Sequence, residues 1–103
     1  MSTFIFSRLQ IHDRERYDAY MAAAGPIFVR EGVKIHAADD APIALTPDAQ
    51  CDKAVLLEFR DDAHIQSFFT IPEYIKAAKD RDASTTMSTT KFESYEGVGN
   101  TAE

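Results

Sequence analysis

Three side chains with complementary chemistry fall on strands that an antiparallel sheet would place side by side: Arg8, His36 and Glu58. A carboxylate hydrogen-bonded to an imidazole can orient it as a general base, and an arginine can hold an anionic or enolic oxygen. His36 and Glu58 are therefore the predicted catalytic residues. The same groups would equally form a structural ion pair with a hydrogen-bonded histidine. Spacing does not separate these two interpretations, so both remain open.

The strands that position these residues have alternating side chains, which define two faces of a sheet. Strands are predicted at residues 3–11, 33–38, 54–60 and 87–95. The face predicted to turn toward the helices carries Ile5, Leu9, Ile11, Ile35, Ala37, Val55, Leu57 and Phe59. The open face carries Phe4, Phe6, Arg8, Gln10, Lys34, His36, Leu56, Glu58 and Arg60. Because the open face is half apolar and half charged, it indicates a partner interface or a ligand groove.

Two helical regions separate these strands. Asp13 is predicted to cap the first, in which apolar residues recur at helical spacing, with a kink or restart at Gly25-Pro26 and an end at Gly32. Asp61 or Asp62 caps the second. Pro72 disfavours helical backbone at the residue before it and suits a first helical turn, so it divides the second region into two shorter helices.

The resulting order is β-α-β-β-α-β, which is typical of the ferredoxin-like split βαβ fold with an antiparallel sheet and helices on one face. In that fold the third strand lies between the first and the second. Residues 1–96 are predicted to form a single domain, and residues 97–103 a flexible C-terminal tail. The long connection before the third strand is expected to contain a short strand at residues 43–45 or to reach another subunit.

Composition excludes several classes of partner. Seventeen acidic residues against 11 basic ones give a formal charge of −6, which disfavours nucleic acid and anionic membrane surfaces. No apolar run approaches a membrane span or a signal peptide, so we expect a cytoplasmic protein. The histidines lack the paired spacing of a metal site, and Cys51 is the only cysteine. We therefore expect neither a metal nor a tightly bound cofactor.

Three segments resemble a known family: YDAYMAAAGPIF (residues 17–28), DKAVLLEFRD (residues 52–61) and IPEYIKAAKDRDA (residues 71–83). They are similar to the domain of unknown function 1330 family of the dimeric α+β barrel superfamily. The resemblance implies a homodimer in which two open sheet faces enclose a cavity. Where the family often has Arg-Gly-Gly after the second strand, this chain has Ala38-Asp39-Asp40. Related families include cofactor-free monooxygenases acting on polycyclic aromatic substrates, and small isomerases or decarboxylases.

Together, the face pattern and the resemblance predict a protein that binds or transforms a small, aromatic or enolisable molecule in a cavity on the open sheet face. The predicted ligand-binding residues are Phe6, Arg8 and Arg60 on that face, with Tyr74 and Arg81 from the segment of densest resemblance. The alternative is a non-catalytic assembly or accessory protein whose open face only forms the homodimer.

Overall fold

The computed structural model describes residues 2–97 and residue 99. Strand β1 (Thr3–Ile11) leads into helix α1 (Arg14–Arg30) and strand β2 (Lys34–Asp39). After a 3-10 turn (Pro47–Ala49) come strand β3 (Lys53–Phe59), helices α2 (Asp62–Phe69) and α3 (Pro72–Ser84), and strand β4 (Thr85–Glu93). Of the predicted flexible tail at residues 97–103, residues 98 and 100–103 lie outside the described residues.

The four strands form one antiparallel sheet in the order β2-β3-β1-β4. Strand β3 therefore lies between β1 and β2, as the split βαβ order predicts. Ile5 lies opposite Leu57 and Ser7 opposite Val55, and these side chains share the face that the helices cover. The predicted ferredoxin-like fold, with helices on one face, is confirmed.

Strand β2 does not alternate regularly. Ile35 lies on the expected face, opposite Leu57. The next pairs are Ala37 with Leu56 and Ala38 with Val55, so β2 contains one extra residue relative to β3. A bulge of this kind moves the side chain of every following residue in the strand to the other face of the sheet. The prediction that Ala37 faces the helices is wrong for this reason, and Ala38 takes that position.

Helix α1 begins at the predicted cap, where the Asp13 carboxylate accepts the backbone N–H of Arg16 at 3.2 Å. The helix continues through Pro26, so of the kink or restart predicted there, the restart does not occur. Gly32 follows the helix with a φ of 72°, a left-handed conformation that glycine adopts without strain. With 17 residues α1 is the longest helix, and no described helix is long and apolar enough to cross a membrane.

The predicted break at Pro72 is confirmed. Helix α2 ends at Phe69, and Ile71 has extended backbone angles of −65° and 121°, as the steric effect of a following proline favours. Pro72 then occupies the first turn of α3, where its missing N–H removes no helical hydrogen bond. The chain therefore changes direction between two short helices.

The connection between β2 and β3 has no strand at residues 43–45, contrary to one of the two predictions for it. Ile43 and Leu45 are instead 85% and 91% exposed. The other prediction, that this connection reaches a second subunit, remains a prediction. The exposure of these two apolar side chains in the single chain is compatible with that prediction.

Candidate functional site

A partly enclosed cavity of about 300 Å³ lies between the helices and the helix-facing side of the sheet. Its walls are mainly apolar and include Ile5, Leu9, Val55, Leu57, Phe28 and Phe69. The volume falls at the small end of the range for small-molecule sites. In the single chain, the cavity thus lies on the opposite side of the sheet from the open face where it was predicted.

Two buried tyrosines and an arginine form a polar cluster on the cavity wall. The hydroxyl oxygens of Tyr20 and Tyr74 are 2.8 Å apart, and Arg81 Nη1 donates a hydrogen bond to the Tyr74 hydroxyl at 2.8 Å. The guanidinium carbon also lies 5.7 Å and 5.9 Å from the centres of the two rings. All three residues line the cavity. The cluster therefore brings a fixed positive charge and two hydroxyls to one place.

The two hydroxyls carry more hydrogen-bond donors than the protein uses. One hydroxyl hydrogen serves the bond between Tyr20 and Tyr74, while Arg81 supplies its own hydrogen to Tyr74. The second hydroxyl hydrogen has no acceptor within residues 2–97. Burial is the main cause that raises the pKa of both phenols, so both remain protonated at neutral pH. One phenolic hydrogen is thus available to an oxygen atom of a ligand.

Helix geometry and aromatic packing position Tyr74. Arg81 lies seven residues further along α3, two turns away, so the two side chains emerge on the same face of the helix. The Tyr74 ring lies 4.6 Å from that of Phe68, 5.5 Å from Phe69 and 5.9 Å from Phe28, measured between centres. Rings at these separations and mutual tilts hold one another in place. The break at Pro72 lets α3 start where its first turn meets this aromatic cluster.

Lys53, at the start of β3, is a second cation on the cavity wall. Its side chain is only 5% exposed, and its ammonium lies 5.0 Å from the centre of the Tyr17 ring. Its anionic neighbour in the described chain is Asp40, at 3.5 Å. Asp40 also accepts a hydrogen bond from Arg14 at 3.2 Å, which is the main cause that lowers the pKa of this carboxyl group.

The open face of the sheet carries the predicted catalytic pair. His36 Nε2 and Glu58 Oε1 are hydrogen-bonded, and the Phe4 ring lies 5.5 Å from the imidazole. The pKa of Glu58 is lowered, first by a hydrogen bond from the Ser2 hydroxyl and then by the bond with His36. Both side chains retain solvent exposure, 33% for His36 and 25% for Glu58. The two residues thus meet as predicted, on the side away from the cavity.

Arg8 does not join that pair. In the register of β1 and β3, Glu58 lies opposite Phe4, whereas Arg8 lies opposite Ala54. The Arg8 guanidinium instead lies 3.5 Å from the main-chain oxygen of Asp48. The predicted contact between Arg8 and Glu58 is therefore wrong, because it placed the two residues side by side on adjacent strands without knowing their register.

The family profile described as Domain of unknown function (DUF1330) matches residues 2–95. The chain belongs to the DUF1330 family. This confirms the resemblance found in its sequence. A sequence comparison with curated proteins found no match.

Solved structures with the same fold include proteins of unknown function and one described oxygenase. A protein of unknown function from Rhodopseudomonas palustris has a TM-score of 0.82 at 19% identity, over 93% of this chain and 84% of that one. SnoaB, a cofactor-independent oxygenase from Streptomyces nogalater, has a TM-score of 0.68 at 11% identity, over 95% and 97%. A dimeric ferredoxin-like protein of unknown function from Thermobifida fusca has a TM-score of 0.65 at 15% identity, over 89% and 90%. At these identities the similarity concerns the fold.

The DUF1330 fold divides the predicted ligand-binding residues between two sides of the sheet. Tyr74 and Arg81 line the cavity and contact each other. Phe6 and Arg8 lie on the open face, opposite Leu56 and Ala54 respectively. Arg60 follows the end of β3 and is exposed, with its backbone N–H bonded to His64 Nδ1 at 3.0 Å. The seven predicted site residues therefore do not form one site.

Sequence reasoning missed Lys53 and Tyr20 as polar groups of this DUF1330 cavity. Lys53 has the same strand parity as Val55 and Leu57, which is unusual for a charged residue on a covered face. This strand parity could have identified Lys53 as a residue of the covered face. Tyr20 lies in the apolar stripe of α1, where a cavity-lining tyrosine looks the same as a core tyrosine. Nothing in the stripe marks its hydroxyl as facing a cavity.

The histidines outside the open face have structural partners. His64 accepts a hydrogen bond from the Arg60 backbone at Nδ1, and its Nε2 lies 2.8 Å from the main-chain oxygen of Glu31. His12 Nε2 lies 2.6 Å from the Thr86 hydroxyl. Among residues 2–97 and 99, no group of three or more histidine, cysteine or acidic side chains is arranged to hold a metal ion.

Proposed function

We propose that this DUF1330 protein binds, and acts on, a small aromatic or enolisable molecule in the cavity between helices and sheet. The observation that carries the proposal is a mainly apolar space whose wall contains two buried tyrosines, Tyr20 and Tyr74, beside the partly buried Arg81. Apolar walls with a few convergent polar groups are the usual composition of a small-molecule site. The walls would hold the rings of the ligand, and the cluster would hold its oxygen.

The chemistry that we propose for the cluster is stabilisation of an oxygen anion. The free phenolic hydrogen of Tyr20 or Tyr74 would donate to a carbonyl, enol or phenol oxygen of the ligand. Arg81 would stabilise the negative charge of a ligand that has given its proton to solvent water, because a fixed cation acts strongly in a mainly apolar site. An enolate stabilised in this way can take up a proton from solvent at carbon and so isomerise, and an enolate or a phenolate can be oxidised by molecular oxygen. The proposal assigns no role to a metal or cofactor.

The predicted roles of His36 and Glu58 as a general base and its orienting group would require a ligand on the open face. Their hydrogen bond supports a base as readily as it supports a structural pair. We propose the structural role, because the cavity with buried polar groups lies across the sheet. The fold similarity to SnoaB is compatible with cofactor-independent chemistry but does not select it.

We also propose that the protein is a cytoplasmic homodimer formed through the open face. Phe4, Phe6, Leu56 and Phe92 give this face an apolar surface, and Phe92 is 45% exposed in the single chain. Solved proteins of the same fold from Thermobifida fusca and Bacteroides fragilis are described as dimeric. A formal charge of −6 makes nucleic acid an unsuitable alternative partner.

Thermal shift and calorimetry with aromatic acids, naphthols and quinones test the proposed site. We expect at least one compound to raise the melting temperature, since a ligand of the folded state stabilises it by mass action. Tyr74→Phe should weaken binding of an oxygen-bearing ligand by roughly tenfold, the loss of one or two hydrogen bonds. Tyr95→Phe is the control, because Tyr95 does not line the cavity.

Glu58→Gln distinguishes the two faces in the same assay. Unchanged affinity in this variant, beside weakened affinity in Tyr74→Phe, supports the cavity. The opposite result would place the ligand on the open face and restore the predicted general base. If no compound in these classes stabilises the parent protein, the accessory role without a ligand becomes the better explanation.

A further inference from the structure

Lys53 is the group on the cavity wall that the proposed oxygen-anion chemistry leaves unused. Its ammonium carries three N–H donors, yet the anionic contact within the described residues is the 3.5 Å approach of Asp40. Charge-assisted hydrogen bonds are normally about 2.7–2.9 Å long. The side chain is 5% exposed, and an ammonium buried to this extent without a close anion costs free energy.

Asp40 is a weak and replaceable partner for this lysine. Its side chain is 59% exposed, and the oxygen that approaches Lys53 is the one that accepts the hydrogen bond from Arg14. Arg14 also contacts Asp18 at 3.1 Å. Asp40 would therefore keep a cationic neighbour if Lys53 turned to another anion.

The contact between Lys53 and Asp40 joins two residues that line different spaces. Lys53 lines the cavity between helices and sheet. Asp40 lines an open depression outside it, together with Arg14, Cys51 and other residues near the end of β1. A ligand in the cavity would therefore contact the wall to which Lys53 belongs, whereas Asp40 lies outside that wall.

We propose that Lys53 binds the carboxylate of the ligand and that this carboxylate displaces Asp40. This inference rests on the proposed function and narrows its ligand class to an organic acid with an apolar, aromatic body. The rings occupy the apolar cavity, and the acid group lies at Lys53. The Tyr17 ring beside the ammonium adds a cation–π contact that keeps the lysine in place while its anionic partner changes.

The test compares 2-naphthoate with 2-naphthamide, which has the same rings and no charge, by calorimetry. We expect the parent protein to bind the acid at least about tenfold more tightly than the amide, since hydrogen bonds to charged groups contribute most. Lys53→Met should bind the acid about tenfold more weakly than the parent protein does and bind the amide with the same affinity as the parent protein. Retained amide binding shows that the variant is folded with its cavity intact.

A second pair of variants leaves Lys53 in place. Asp40→Asn should raise the affinity for 2-naphthoate severalfold, because the competing carboxylate is removed, with no change for the amide. Asp18→Asn is the matched control, since it removes the same charge and also contacts Arg14 but does not approach Lys53. An equal effect of the two variants would indicate a general charge effect and overturn the displacement of Asp40.

The outcomes separate this inference from the proposed function. If acid and amide bind the parent equally, or if Lys53→Met binds the acid as the parent does, the role of Lys53 is overturned while the cavity site stands. If neither compound binds at millimolar concentration, both this inference and the proposed site fail for this ligand class.

Discussion

The protonation state of the two buried phenols decides what their hydroxyls can do. Tyr20 and Tyr74 have pKa values raised chiefly by burial, and Tyr74 itself adds to the effect at Tyr20. Protonated phenols donate hydrogen bonds, whereas a phenolate would bind Arg81 and repel an anionic ligand. The proposed oxygen site depends on this neutral state.

The raised pKa values predict how stability changes at alkaline pH. In the unfolded chain a tyrosine ionises near pH 10, while in the folded protein these two resist ionisation. Their contribution is therefore fully present below pH 10 and is lost as the pH rises toward the folded pKa. We expect their tyrosinate absorbance to appear only with the loss of helical circular dichroism. In an alkaline titration of Tyr20→Phe, the rise in tyrosinate absorbance that accompanies unfolding should be smaller than in the parent protein by the contribution of one tyrosine. If the lost absorbance instead comes from tyrosines that ionise before unfolding, the prediction is wrong.

At the scale of elements, the sequence predicted the strands and the break between α2 and α3 because those features depend on local rules. Short runs of β-forming, apolar residues identify β1 and β3, and Pro72 restricts the backbone of the residue before it wherever it occurs. The bulge in β2 could not be seen, because one extra residue leaves no mark in a short run of small side chains such as Ala37 and Ala38. The register that separates Arg8 from Glu58 was equally hidden, since it depends on pairing between distant segments.

The cavity was unpredictable for another reason. The residues on its walls, such as Ile5, Leu57 and Phe28, are of the same types and periods as residues of a filled core. Whether helices rest on the sheet or leave a space depends on the sum of side-chain volumes and on how far the helix layer stands from the strands. A stripe of apolar residues indicates neither the total side-chain volume nor the distance between the layers. It therefore predicts only which face of the sheet the helices cover.

The break at Pro72 and the tyrosine that follows it contribute differently to stability. Pro72→Ala should change the free energy of unfolding by less than about 1 kcal/mol, because proline is tolerated rather than required in a first turn. Tyr74→Ala should cost about 3–5 kcal/mol through lost packing against Phe68 and Phe28, and Tyr74→Phe only about 1 kcal/mol. Chemical denaturation measures all three. Equal losses for Pro72→Ala and Tyr74→Ala would show that the bend, rather than the ring, stabilises this region.

For the whole molecule, the two faces of the sheet have separate proposed roles. The covered face would bind the ligand, and the open face would bind a second copy of the chain. On this arrangement the hydrogen bond between His36 and Glu58 lies within or beside the interface, where a paired histidine and carboxylate cost less to bury than single charges. Ligand affinity and dimer stability should then respond to different substitutions.

Phe6→Glu tests the proposed interface, because Phe6 lies on the open face between Leu56 of β3 and Thr90 of β4. An interface that is specific should bury at least about 1,200 Å² in total, and a carboxylate near its centre opposes association. We expect light scattering after size exclusion to give a dimer for the parent protein at micromolar concentration and a monomer for Phe6→Glu. Val29→Glu is the matched control, since Val29 is 81% exposed on α1, away from the open face, and this variant should remain dimeric. A monomeric parent protein, or a dimer that survives Phe6→Glu but not Val29→Glu, would show that the open sheet face is not the interface.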